Sequence, residues 1–187
     1  MGGTTAEPIV PLAPIMWSTG VMTDVNSSAF GDASNGAHAG SEALAPSETD
    51  RLAAQVTGPE DQVGMTALWR LTMGLDHWWF VAVGEPGTES PAAAEIDGRL
   101  MLLTFTNSER ARDFAVQQEM IGPTDDLHAI ALPPAEVVAS SGSYLGAGIA
   151  GLMFDPHISG FYIPSEQLPV VWEAVTSTRD TTDEDDD

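Results

Sequence analysis

The run Trp78-Trp79-Phe80-Val81-Ala82-Val83 limits the possible folds more than any other stretch of this chain. Aromatic and β-branched side chains fill it without a polar break, and it stops at Gly84. It therefore predicts a strand that is buried on both faces. Such a strand calls for helices packed against the sheet it belongs to. Neighbouring residues of a strand point to opposite faces, so Trp78 and Trp79 cannot line one pocket together. Together with Trp69 they read as core packing rather than as a platform for stacking ligands.

Around this strand the remaining elements are read from local signals. Ser47 followed by Asp50 is an N-cap arrangement for a short helix over Glu48 to Val56, stopped by Gly58-Pro59. Leu68, Leu71 and Leu75 recur at helical offsets, with Met65 and Trp69 beside the stripe and Gly74 near its end. Glu85 to Glu95 carries two prolines and a glycine and reads as a loop. Asp97-Gly98 is a turn signal that opens a second strand, Arg99 to Phe105. Thr106 with Glu109 makes a capping box for the next helix, with Ala111, Phe114 and Ala115 inward and Arg110 and Arg112 on the exposed face. Then come a strand at His128 to Leu132, a helix opened by Pro133-Pro134, and strands at Leu152 to Phe154 and Phe161 to Ile163 around the turn from Asp155 to Gly160. Leu168, Val171, Trp172 and Val175 form the apolar stripe of a last helix.

These readings give an α+β (mixed α/β) domain over residues 47–176. Its central mixed sheet has about five short strands packed by helices, in the order α-β-β-α-β-α-β-β-α. Residues 1–46 read as a flexible leader, with a Gly, Ala, Ser, Thr, Asn and Asp linker from Ser18 to Pro46 that buries too little apolar surface to order itself. Before the linker, Ile9, Val10, Leu12, Ile15, Met16 and Trp17 suit either an extended mobile segment or an edge strand, to which three prolines confine them. Residues 177–187 end in Asp183-Glu184-Asp185-Asp186-Asp187, a self-repelling run expected to be disordered.

Two absences restrict the chemistry. The chain has no cysteine, and its six basic residues are all arginines. Disulfides, thiolate nucleophiles, cysteine-held metals, Schiff bases and a phosphate-binding P-loop lysine are thereby excluded. The net charge of −22 opposes contact with nucleic-acid phosphates and suits either solubility or a basic protein partner. No apolar run is long enough to cross a bilayer, and the first fourteen residues lack the cationic start of a signal peptide, so a cytoplasmic protein is expected.

The motifs that remain are few. Gly146-Ala147-Gly148-Ile149-Ala150-Gly151 matches GxGxxG, yet it follows a helix and precedes a strand, the reverse of the order that brings phosphates to a helix N-terminus. The glycines read as a helix end and a tight turn. His38, His77, His128 and His157 lack metal-ligand spacing, and neither a metal nor a cofactor is expected. Asp155 and His157 flank one turn and can form a carboxylate–imidazole pair. In the plainer reading Asp155 bonds turn amides and His157 is solvated. Candidate binding residues are Gly148, Gly151, Asp155 and His157, with Arg110 and Arg112 facing an acidic partner or balancing charge within the chain. No catalytic residue is assigned.

Three stretches together carry a family resemblance. They are Gly98-Arg99-Leu100-Met101-Leu102-Leu103-Thr104-Phe105-Thr106-Asn107-Ser108-Glu109, the glycine turn and strand from Gly148 through Asp155-Pro156, and Ile163-Pro164-Ser165-Glu166-Gln167-Leu168. They resemble the N-terminal domain of SseB-type (enhanced serine sensitivity) proteins, found in many bacteria including actinobacteria, over roughly residues 64–175. Asp155 stands where the family pattern has Asn, and the leader has no counterpart in it. The resemblance implies a compact α+β fold, no established reaction, and a regulatory or interaction role. The corresponding expectation is a non-enzymatic module that binds a protein partner or itself. The alternative is an anion or small-ligand binder, or an enzyme, built on residues 146–157.

Overall fold

The computed structural model describes residues 45–177 except Pro59, together with the strand segments Val10–Pro11 and Val21–Asp24. The acidic run from Asp183 to Asp187 and most of the leader lie outside the described residues.

The fold is α+β, with a mixed, curled sheet. Two segments of the leader enter it, β1 (Val10–Pro11) and β2 (Val21–Asp24). Helices α1 (Glu48–Gln55) and α2 (Gln62–Met73) follow. Then come β3 (Trp78–Val83), β4 (Ser90–Ile96), β5 (Arg99–Thr104), α3 (Ser108–Gln117) and β6 (His128–Leu132). The chain continues with α4 (Pro134–Ala139), α5 (Ser141–Gly146), β7 (Ile149–Phe154), β8 (Phe161–Pro164) and α6 (Leu168–Thr176). The sheet order is β2-β6-β3-β4-β5-β7-β8, with β1 on β4. Every paired neighbour is antiparallel except β5 and β7.

From β3 onward the sheet therefore holds six strands rather than about five. The added one is β4, in the stretch expected to be a loop. Its Pro-Ala-Ala-Ala run has little strand propensity of its own, but tertiary pairing overrides propensity. Ala93 pairs with Leu102 of β5 on one side and with Val10 of β1 on the other. Proline donates no amide to a ladder, and the β3–β4 pairing stops at Pro91 opposite Ala82. Beyond that point β4 follows β5, and Trp79 pairs instead with Phe105. This divergence curls the sheet. Asp97 and Gly98, at φ 51° and 72°, form the tight hairpin turn between β4 and β5.

Both faces of the sheet are covered. On one face Trp78, Phe80, Leu102, Leu132, Leu152, Phe154 and Ile163 pack against α2, α4, α5 and α6. On the other, Val81, Leu103 and Phe105 pack against Ala111, Phe114 and Ala115 of α3. Thus Trp78 and Phe80 face one layer and Val81 the other, as a strand buried on both sides requires. An aromatic group anchors the first layer: Phe154 stacks on Phe161 at 5.1 Å and meets Trp78 and Trp69 edge-on at 5.0 and 5.9 Å. The stripe of α6 closes the same layer, with Leu168 and Val175 buried and Val171 and Trp172 partly so. No described helix is long and apolar enough to cross a membrane.

Candidate functional site

The polar residues that stand out in the folded chain gather where α1, the start of α3 and the end of β7 meet. Ser47 caps α1 in a reciprocal box: its hydroxyl accepts from the Asp50 amide at 3.2 Å, and its own amide donates to Asp50 Oδ2 at 2.8 Å. The cap holds the Asp50 carboxylate at the buried side of the helix start. Arg110, in the first turn of α3, reaches it from 60 positions along the chain. Arg110 Nη1 donates to Asp50 Oδ1 at 2.8 Å, and Nη2 donates to Asp50 Oδ2, a forked pair.

The same Nη1 donates to Asp155 Oδ2 at 2.8 Å. Asp155 also accepts from the Thr106 amide at 3.1 Å and the Thr106 hydroxyl at 2.8 Å. Its backbone is bonded on both sides as well. The amide of Asp155 donates to Thr104 O, and its carbonyl accepts from the amides of Ile158, Ser159 and Gly160. This wrapping holds Asp155 at φ 43°, in the left-handed region that a short polar residue tolerates.

Three charges are thus enclosed together, Arg110 at 2%, Asp50 at 8% and Asp155 at 0% exposure. The electrostatics follow from the contacts. Burial raises the Asp50 carboxyl, but hydrogen bonds from Arg110 and the Ser47 amide and the nearby guanidinium charge outweigh it, holding the group at about 2. The hydrogen bonds from Arg110 to Asp50 push the guanidinium further above its ordinary range, against the opposing effect of burial.

His157 lies beside this cluster. Its side chain is 5% exposed, and Nε2 lies 3.3 Å from Asp113 Oδ2, close enough for an ion pair but not aligned as a hydrogen bond. The imidazole sits against the rings of Phe105 and Phe114, at 6.0 and 5.6 Å. Burial lowers its pKa, with the Arg110 charge adding to the effect and Asp113 and Asp155 opposing it.

The chain matches no family model and no curated protein. The resemblance to SseB-type domains accordingly rests on its own residues.

Several expectations change. Arg110, expected on the exposed face of its helix, is buried and paired with two carboxylates. Three and four positions from Asp113 and Phe114, it shares a side of α3 with the inward Phe114, and partners outside the helix make that burial tolerable. Thr106 does not cap α3. Asn107 does, its side chain accepting from the Arg110 amide at 2.9 Å, while Thr106 is drawn to Asp155. Asp155 and His157 are not a direct pair, and the imidazole is enclosed rather than solvated. Arg112 stays near the surface and donates to the backbone carbonyls of Asp125 and Pro123 at 2.8 and 2.6 Å.

The glycine run behaves as a helix end followed by a turn. The segment α5 ends at Gly146, and Gly148 turns at φ +78° into β7, which begins at Ile149, earlier than expected. Gly151 lies within that strand, where an added Cβ would meet the Ile163 carbonyl oxygen at 2.5 Å. The sequence carried no signal joining Asp50, Thr106 and Asp113 to Asp155 and His157, because the contacts span 45 to 60 positions where they are longest. Among the described residues no group of three or more His, Asp or Glu is placed to hold a metal ion.

Proposed function

We propose that this chain is a non-enzymatic interaction module of the SseB-like kind, acting in the cytoplasm through a protein partner or a second copy of itself. The observation that carries this reading is the internal pairing of the polar groups around the glycine turn. Arg110 and Asp155, the charged residues best placed to meet a ligand there, face each other inside the fold at 2% and 0% exposure. Catalytic or anion-binding use would require one of them to reach solvent. Val170 of α6 and Tyr162 of β8, 66% and 44% exposed, are positions at which a substitution can probe for a partner without disturbing the core.

The test combines sedimentation of the purified chain over a concentration series with crosslinking capture from its host. Self-association, or a captured protein lost on Val170→Asp at unchanged melting temperature, supports the reading. A monomer at high concentration with no captured protein refutes it. A metabolite-library thermal-shift screen addresses the competing small-ligand reading, because a ligand of the folded state raises the melting temperature. A shift abolished by Gly148→Ala or His157→Gln would replace the interaction reading with that one.

A further inference from the structure

We propose that His157 makes the β7–β8 turn a latch that opens as the pH falls below neutrality. A buried imidazole with neither ring nitrogen in an aligned hydrogen bond sits at the centre of this turn, wedged against Phe105 and Phe114. A neutral ring is accommodated there as an aromatic body. A protonated ring brings a charge and a second donor into an enclosed site, where the cost of burial outweighs the attraction of the partly exposed Asp113 carboxylate.

The charged groups facing it are few and opposed. From α3, Asp113 approaches Nε2 at 3.3 Å and favours the cation, while Arg110 disfavours it. From its own turn Asp155 favours the cation, but this carboxylate already receives Arg110 and Thr106. The strand end beneath contributes the Phe105 ring, and α1 contributes Asp50, which is engaged by Arg110. The balance leaves the folded-state pKa below the ordinary value of 6.5.

The sign follows from linkage. A histidine released from the turn titrates near 6.5, whereas the enclosed one holds its neutral form to lower pH. As the pH falls below 6.5, protons therefore bind preferentially to the open form, and closure weakens until the enclosed ring also titrates. At pH 5 the opening constant rises by up to about 30-fold relative to pH 8.

The turn has its own reporters, the amides of Ile158, Ser159 and Gly160, which bond to the Asp155 carbonyl at 2.9, 3.2 and 3.1 Å. Native-state hydrogen exchange at these amides, corrected for intrinsic rates, is measured from pH 8 to 5. Their protection is expected to fall from pH 8 to 5, within the limit of about 30-fold, while amides of β3 and β6 hold theirs. His157→Phe, a ring of similar size without a proton site, is expected to remove the pH dependence. Asp113→Asn takes away the carboxylate nearest the ring and shifts the midpoint to lower pH. Flat protection in the wild type overturns the latch, as does a fall that persists in His157→Phe. Should that variant fail to fold, the Asp113→Asn midpoint decides, and an unchanged or raised midpoint overturns the proposal.

Discussion

Substituting Arg110 by Met isolates the buried charge cluster with little change of side-chain length. The guanidinium serves both Asp50 and Asp155, and the second of these has 0% exposure. Breaking a buried pair by removing one partner costs about 3–5 kcal/mol, because the remaining charge has neither water nor a counterion. Two carboxylates are stranded here, so the upper part of that range, about 4–5 kcal/mol, is expected. This is a large share of the roughly 5–15 kcal/mol that stabilises an ordinary domain. Urea unfolding at pH 7 followed by tryptophan fluorescence reads the loss as a lower midpoint at constant slope. The melting temperature should fall by about 12–25 °C, at roughly 3–5 °C per kcal/mol for a domain of this size. The triple variant Asp50→Asn, Arg110→Met, Asp155→Asn discharges the stranded groups and should recover more than half of the loss. A cost below about 1 kcal/mol for Arg110→Met, the level of an exposed ion pair, would refute the argument that this cluster is sealed from water.

Other perturbations read other parts of the fold. Asp50, held at about 2 instead of 3.8, contributes stability that is complete above pH 3.8 and disappears as the pH falls through 2. A shift of that size is worth about 2 kcal/mol, and Asp50→Asn should remove that part of the acid limb in pH-dependent unfolding. Gly151→Ala places a methyl 2.5 Å from the Ile163 carbonyl oxygen, so β7 and β8 must part, at about 1–3 kcal/mol in urea unfolding; a cost under about 0.5 kcal/mol would contradict that approach. Phe154→Ala empties the site between Trp69, Trp78 and Phe161, and calorimetry should find a loss of about 3–5 kcal/mol. Burial pushes the Tyr144 phenol above its ordinary value of 10.0, so alkaline absorbance titration of the folded protein should leave it un-ionised at pH 10 and ionise it on unfolding.

What could be read from the sequence and what could not divide along a physical line. β3, β6, the β7–β8 turn and the stripe of α6 carry their signals within a few residues, as side-chain type, periodicity and turn chemistry, and each lies where the pattern puts it. β4 fails that test because alanine is small enough for a crowded position between two strands yet carries no propensity that announces it. The Asp97-Gly98 turn held the missing clue, since a two-residue hairpin needs a strand before it as well as after it. Arg110 is harder. Charge marks a helical position as outward unless a counterion waits inside, and its counterions lie 60 and 45 positions away in different elements. The cap of α3 moved from Thr106 to Asn107 for the same reason, since Asp155 claims the Thr106 hydroxyl across 49 positions.

The span of that cluster also bears on how the protein comes into being at the ribosome. Asp50 and Arg110 are made before the carboxylate that completes their arrangement, which is at position 155, next to the parallel pairing of β5 with β7. Until β7 is made, Arg110 has only Asp50 to hold it, and one long side of β5 has no neighbour. The pairing of β3 with β6 can form before β7 is made, whereas the contacts of Asp155 and the β5–β7 ladder must wait for it. Slowing translation between residues 118 and 148 would lengthen the interval in which an unpaired strand edge is offered to other chains.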